Sequence, residues 1–222
     1  MIAYLSWHRA APGVEPAAYE PAVERLHRSL ANRPPSGFRG SATFRAAELP
    51  WLSSAENPPP ADGLPSAEGP PSAEGHPSAE GPPSAVGTSY EDWYVVDDWA
   101  AIGVLEEAAV SRGHLTAHEA VAALAGPATG AVYRLLEGNV RLEQARVAVW
   151  VARPRGQGHG SVAALLGDGM DPACGGLWRR CLGFGPAPEF CVLASEPPTG
   201  VAAGRLPPGW TARSFAREPL QP

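Results

Sequence analysis

A pentapeptide, Pro65-Ser-Ala-Glu-Gly69, recurs at 71–75 and 77–81 and, with one change, at 83–87, giving a period of six residues. That period also occurs in stacked β-helices. Here, however, the units offer only Ala, joined by one Val in the last of them, as apolar side chains, and the Pro of each removes a donor from any strand ladder. Such a tract cannot bury enough surface to offset its own ordering entropy. Residues 53–88 are therefore expected to be a disordered linker or loop insertion. The fold must be built from the arms on either side.

The first arm is patterned. Ile2 to His8 alternates, with Ala3, Leu5 and Trp7 on one face and Tyr4, Ser6 and His8 on the other. A helix is expected to follow with Pro21 at its first position and a stripe of Val23, Leu26 and Leu30. The run 32–37, rich in Pro and Gly, ends it. Phe38 to Arg45 reads as a second strand, with Phe38, Gly40, Ala42 and Phe44 opposite Arg39, Ser41, Thr43 and Arg45.

Beyond the insert, Trp93 to Val96 reads as a third strand. Asp97 or Asp98 is expected to cap a helix carrying Trp99, Ile102, Leu105 and Ala109. Thr116 and Glu119 have the spacing of a capping box for a further helix, which Gly126-Pro127 would stop. Ala131 to Leu136 reads as a fourth strand. The order β-α-β-β-α-β over 1–52 and 89–140 is that of a ferredoxin-like unit. An insertion at its central hairpin is tolerated because the hairpin's ends already lie close together. Residues 141–222 form a shorter, related or appended α+β half. Strands are expected at 146–153, 190–194 and 210–215, and helices at 161–166 and 177–182. The fold class is thus α+β, closing as a pseudo-dimeric barrel or spreading as one extended sheet.

The strand order, and the run Tyr90-Glu-Asp-Trp-Tyr-Val-Val-Asp-Asp-Trp99 passing from a strand into a capped helix, resembles the dimeric α+β barrel superfamily. That group includes antibiotic-biosynthesis-type monooxygenases and stress-responsive barrel proteins. The resemblance covers residues 1 to about 137 and is one of topology. It implies two ferredoxin-like sheets placed around a shared cavity, and a homodimer as the candidate assembly. Enzymes and non-enzymes share that fold, so activity must be argued from the site.

Charge and composition exclude several classes. The net charge is −6, and the 17 Lys-plus-Arg residues are all Arg. An acidic chain repels phosphate backbones, and no polybasic stretch is present for anionic lipid, so neither nucleic acid nor membrane is expected as a partner. Without Lys there is no Schiff-base nucleophile, pyridoxal anchor or P-loop lysine. The N-terminal MIAYLSWHRAAPG lacks the basic and apolar regions of a secretory leader. Three cysteines, an odd number confined to the last quarter, argue against a disulfide framework, and a cytoplasmic location is expected.

Several motifs carry chemistry. The sheet face with Tyr4, Ser6, His8, Arg39, Ser41, Thr43 and Arg45, which Tyr94 could join, brings donors and a proton-transfer group together. Two arginines suit a bidentate anion, which makes a small anionic molecule the candidate partner. His8 is the candidate acid–base residue. The alternative for this face is solvent or a protein interface. His114 and His118 are four apart, but the capping box puts them on different faces and no third ligand stands near, so no metal site is expected. Gly158-His-Gly-Ser-Val-Ala163 matches a dinucleotide fingerprint formally; it lacks the downstream acid and the surrounding doubly wound repeat. It reads better as a Gly-rich connection, and no cofactor is expected. Cys191 lies in an apolar run, Cys174 beside Gly175-Gly176, and no CxxC is present. Trp7, Trp93, Trp99 and Trp150 fall at core positions. The functional reading is a small-molecule binder or cofactor-independent enzyme with Tyr4, His8, Arg39, Arg45 and Tyr94 lining a cavity. The alternative is an assembly protein using the same face. On either reading, His8→Ala is expected to be nearly neutral for stability.

Overall fold

The computed structural model describes residues 1–46, 49–52, 88–111, 113–154, 176–185, 187–196, 206 and 208–220. Among them, eight strands are β1 (Ile2–Ala10), β2 (Phe38–Ala46), β3 (Ser89–Val96), β4 (Ala125–Gly138), β5 (Val147–Ala152), β6 (Gly176–Gly183), β7 (Phe190–Ala194) and β8 (Thr211–Pro219). Three α-helices are α1 (Pro16–Asn32), α2 (Trp99–Ala109) and α3 (Leu115–Ala122). The strands close into one antiparallel barrel in the order β1-β3-β2-β8-β5-β7-β6-β4. Closure removes the free edges an extended sheet would expose. It is achieved within a single chain, so no partner is needed to complete the barrel. The first four strands follow the order β4-β1-β3-β2 and the last four β8-β5-β7-β6, joined by the β2–β8 and β4–β6 seams.

Alternation sends one face of every strand into the barrel. Ala3, Leu5 and Trp7 point inward with Phe44, Trp93, Tyr133, Trp150, Trp178 and Cys191. Trp7 meets Trp150 edge-on at 5.4 Å, and Trp93 meets Trp178 at 5.3 Å, a favoured aromatic geometry. The space that the family resemblance assigned to a shared cavity is therefore aromatic core. It contains one ion pair. Arg217 Nη2 lies 3.0 Å from Glu91 Oε1, both side chains being 1% exposed. Glu91 also accepts the indole N–H groups of Trp7 (3.1 Å) and Trp93 (2.6 Å), while the Arg217 guanidinium lies over the Phe44 ring.

The polar alternates Tyr4, Ser6 and His8 face outward, toward the helices. The apolar alternates Ala3, Leu5 and Trp7 turn away from the helices. The barrel core, the larger buried cluster, claims that face, and the helices bring their own apolar stripes to the other. The buried side of α1 is Tyr19, Ala22, Val23, Leu26, His27 and Leu30, at helical spacing. Outside the second half, Val147, Val149, Val151, Phe190 and Val192 form a separate apolar cluster with Trp210.

Other expectations are corrected locally. Helix α1 begins with Pro16, and Pro21 lies inside it. Strand β3 starts at Ser89, four residues before Trp93. No capping box forms at Thr116, because His114 precedes α3 as its cap residue without a side-chain hydrogen bond. Gly126 and Pro127 belong to β4. Residues 177–182 are strand β6, since β4 and β7 each leave a ladder there to be filled. Trp99, expected in the core, is 44% exposed, while Trp51, not singled out from the sequence, lies in the core. Asp98 caps α2, its Oδ1 accepting from the Ala101 N–H at 3.0 Å. The repeat tract, the glycine-rich motif, the segment 161–166 and Cys174 lie outside the described residues.

Candidate functional site

Strand register builds a polar floor on the outer face of the first half-barrel. Across β1 and β3, Tyr4 faces Tyr94, Ser6 faces Asp92 and His8 faces Tyr90. Across β3 and β2, Tyr94 faces Ser41 and Asp92 faces Thr43. Side chains two apart share a face, so these residues converge under the helices. On β4, Gly130 lies opposite Ser6; a Cβ there would approach the Tyr4 hydroxyl to 3.3 Å and the Leu5 carbonyl to 2.8 Å, so only glycine fits.

Helices α1, α2 and α3 roof this floor and leave a cavity of about 670 Å³. Its walls are apolar, with Leu26 and Leu30 from α1, Ile102 and Leu105 from α2, Val121 from α3 and Val132 from β4. Tyr4, Ser6, His8, Tyr19, Asp92 and Tyr94 line the polar end, and Glu106 and His118 line the helix side. Trp99, Val110, Leu182 and Phe184 also line it and are exposed, so they form its rim.

Asp92 organises the floor. Its Oδ2 accepts from the Tyr94 hydroxyl at 3.1 Å and lies 3.0 Å from His8 Nε2. Its Oδ1 lies 3.5 Å from His27 Nε2. Neither imidazole contact meets hydrogen-bond alignment, so both Nε2 atoms and Asp92 Oδ1 are buried without an aligned partner. On their other sides the histidines are well held. His8 Nδ1 shares a hydrogen with the Tyr19 hydroxyl at 2.7 Å, and His27 Nδ1 with the Ser41 hydroxyl at 2.7 Å. The His27 ring stacks on Tyr94 at 5.0 Å, and the His8 ring on Tyr90 at 5.7 Å.

The electrostatics follow from burial and from this carboxylate. Burial pushes Asp92 up, but His8 and His27 together outweigh it and hold Asp92 well below the usual carboxylate range. Burial, then the charge of Asp92, raises Tyr19 and Tyr94 above the usual phenol value, so both hydroxyls stay protonated. The result is a contiguous set of Tyr19, His8 and Asp92, in which a proton can pass between hydroxyl and imidazole beside a fixed negative charge.

Of the residues singled out from sequence, Tyr4, His8 and Tyr94 line the cavity. The two arginines do not. Arg39 sits within a register shift between Phe38 and Gly40, which breaks the alternation of β2, and pairs with Asp97 at the surface. Arg45 is held by Glu20 at 2.6 Å and by Glu218 at 2.9 Å. Both guanidinium groups are thus neutralised away from the cavity. The sheet face read as a protein interface is covered by helices. His8 is 5% exposed, so its replacement is expected to cost stability instead of being nearly neutral. Sequence reasoning missed Asp92, Tyr19 and His27. Asp92 continues the alternation of Tyr94, and Tyr19 and His27 stand four residues either side of Val23 on the buried stripe.

Among the described residues, no cluster of three or more His, Cys, Asp or Glu is placed to hold a metal ion, and no helix is long and apolar enough to cross a membrane. No protein-family model matches the chain, and no curated protein matches it in sequence. The fold is similar to that in the crystal structure of a "putative monooxygenase" from Fusobacterium nucleatum subsp. nucleatum ATCC 25586, with a TM-score of 0.58 and 8% sequence identity over 99% of this chain and 92% of that one. At that identity the likeness is one of fold: a closed, eight-stranded antiparallel barrel of the α+β class.

Proposed function

We propose that the chain is a small-molecule enzyme that works without a bound cofactor in the cavity between the first half-barrel and its helices. The observation that carries this is His8, buried between Asp92 and Tyr19 at the polar end of an otherwise apolar cavity. Apolar walls with a few convergent polar groups are the usual build of a ligand site. A substrate proton presented to the Tyr19 oxygen can move onto it as the Tyr19 proton moves to His8 Nδ1. Asp92 then faces the imidazolium that forms. A positioned acid–base side chain contributes about 10²–10⁴-fold to a rate. The name of the structural neighbour supports a reaction on a small organic molecule as the class. Arg39 and Arg45 stand outside the cavity and take no part in it.

We also read the barrel as two related ferredoxin-like units, 1–52 with 89–140 and 141–222, because the strand order of the second half repeats that of the first. On this reading one unit keeps the site and the other serves as scaffold.

The test uses 2-tetralone, an apolar bicyclic ketone with an acidic C–H, in deuterated buffer. The chain should bind the neutral dye Nile red and accelerate hydrogen–deuterium exchange of the ketone about tenfold or more over buffer. Tyr19→Phe and Asp92→Asn should lose the acceleration. Absence of both dye binding and exchange would overturn the proposal.

A further inference from the structure

Three phenols line the polar end of the cavity, Tyr4, Tyr19 and Tyr94. Two are committed: Tyr19 to His8, and Tyr94 as a donor to Asp92. Among the described residues, the Tyr4 hydroxyl has neither an imidazole nor a carboxylate bonded to it. Its hydrogen-bonding neighbour is the Ser6 hydroxyl, which lines the cavity as well. Of the two hydrogens that this pair carries, one serves the contact between them and the other is left for a guest. With Ser6 donating to the Tyr4 oxygen, the Tyr4 O–H becomes the stronger donor of a short chain that ends in the cavity.

The backbone aims this group. The Tyr4 ring stacks on Tyr94 at 6.0 Å. Its hydroxyl reaches the level of Gly130, which is paired with Ser6 across β4 and β1. A Cβ at 130 would stand 3.3 Å from that hydroxyl, so glycine keeps the space beside it clear. The hydroxyl thus leans along β1 toward His8 and stops two residues short of it, roughly 7 Å along the strand. A carbonyl oxygen can meet Tyr4 across that distance while the hydrogen on the next carbon meets the Tyr19 oxygen. Burial, then the charges of Asp92 and Glu106, raise Tyr4 above the usual phenol value, so it stays a donor. The same two charges oppose a free negative oxygen, and a donor placed on that oxygen has most effect where water is excluded.

We propose that Tyr4 is a catalytic residue that holds the oxygen of a neutral, largely apolar ketone, with Ser6 positioning it, while the Tyr19–His8 pair takes a proton from the neighbouring carbon. This rests on reading the cavity as a small-molecule site. The C–H bond breaks, its proton goes to the Tyr19 oxygen, and the Tyr19 proton goes to His8 Nδ1. The electron pair forms a C=C bond, and the carbonyl becomes an enolate oxygen that accepts from the Tyr4 O–H. The reverse transfer returns a proton to the carbon, so atoms and charge balance.

Exchange of 2-tetralone in deuterated buffer and displacement of Nile red test this together. Tyr4→Phe should lower the turnover of exchange about a hundredfold and change KM less than about twofold. Ser6→Ala should lower turnover about fivefold. The wild-type chain should bind 2-naphthol, a flat copy of the enol, about fivefold more tightly than naphthalene. Tyr4→Phe should erase that preference, and Tyr19→Phe should keep it. Wild-type turnover in Tyr4→Phe, a preference that survives it, or equal binding of the two bicycles by the wild-type chain overturns the proposal. Should Tyr4→Phe not fold, wild-type turnover in Ser6→Ala overturns it. In each of these cases Nile red binding with ketone exchange by the wild-type chain leaves the cavity reading standing. Dye binding without exchange by the wild-type chain removes the role of Tyr4. If the wild-type chain shows neither, the cavity reading itself falls.

Discussion

The Tyr19 hydroxyl, on α1, lies 2.7 Å from His8 Nδ1, on β1, and joins the helix layer to the barrel at the polar end of the cavity. Tyr19→Phe removes one partner and leaves a buried ring nitrogen unpaired. It should cost about 1–3 kcal/mol, read from the midpoint of urea unfolding. His8→Ala should cost more, because it also leaves Asp92 facing one imidazole instead of two.

Glu91 and Arg217 form an ion pair inside the aromatic core. Arg217→Met should destabilise the chain by about 3–5 kcal/mol, because Glu91 is left charged in a dry interior. Adding Glu91→Gln to that variant should restore part of the loss. Chemical denaturation of the two single variants and the double variant checks this. A double variant with the summed loss of the singles would show the two residues to be energetically independent.

Residues 46 and 89 are paired across β2 and β3, so the connection that carries the insert leaves and rejoins the barrel at neighbouring strand residues. Deleting 53–87 and closing the gap with a short Gly-Ser turn should leave the melting temperature almost unchanged, since closure entropy varies slowly with loop length. Extending the deletion to Leu49 should not be tolerated. Leu49, Trp51 and Leu52 are buried in the barrel core, and Trp51→Ala alone should cost about 3–5 kcal/mol. Thermal melts of the three variants separate these outcomes.

Among the described residues, two carboxylates are depressed in the folded chain. In Asp92, His8 and His27 prevail over burial; in Glu20, hydrogen bonds from Arg45 are the main cause. Their stabilising contribution is therefore complete above the ordinary unfolded carboxylate value of about 4 and is lost as pH falls through the folded values. The melting temperature should decline below about pH 4. Glu20→Gln should flatten only a small part of that slope, because Arg45 is 38% exposed and such pairs contribute under about 1 kcal/mol.

Alternation made most of the first half legible. Residues 2–8, 38–45 and 131–136 read as strands, and their faces separate correctly except where the shift near Gly40 turns Phe38 toward the helices. Which face turned inward was not legible, because that depends on a second half whose strands are short and whose apolar runs fit helix or strand equally. The same ambiguity turned β6 into an expected helix. At the site, Tyr4, His8 and Tyr94 were readable from period two alone. Asp92 was hidden by starting β3 too late, and Tyr19 and His27 by reading the helix stripe from aliphatic residues only. The arginines misled because a charged side chain on a strand face finds its carboxylate across the sheet or on a helix, which no spacing along the chain reveals.

A barrel closed by one polypeptide is free of an obligation that binds a symmetric pair of chains. There, any change on one wall is copied onto the other. Here Tyr4, Ser6 and His8 can stand on one wall while Val147, Val149 and Val151 stand on the other. On the proposed reading, a molecule so arranged holds its reactive chamber on one wall. It should saturate with a single equivalent of guest, and mutations on the valine wall should alter folding while sparing occupancy.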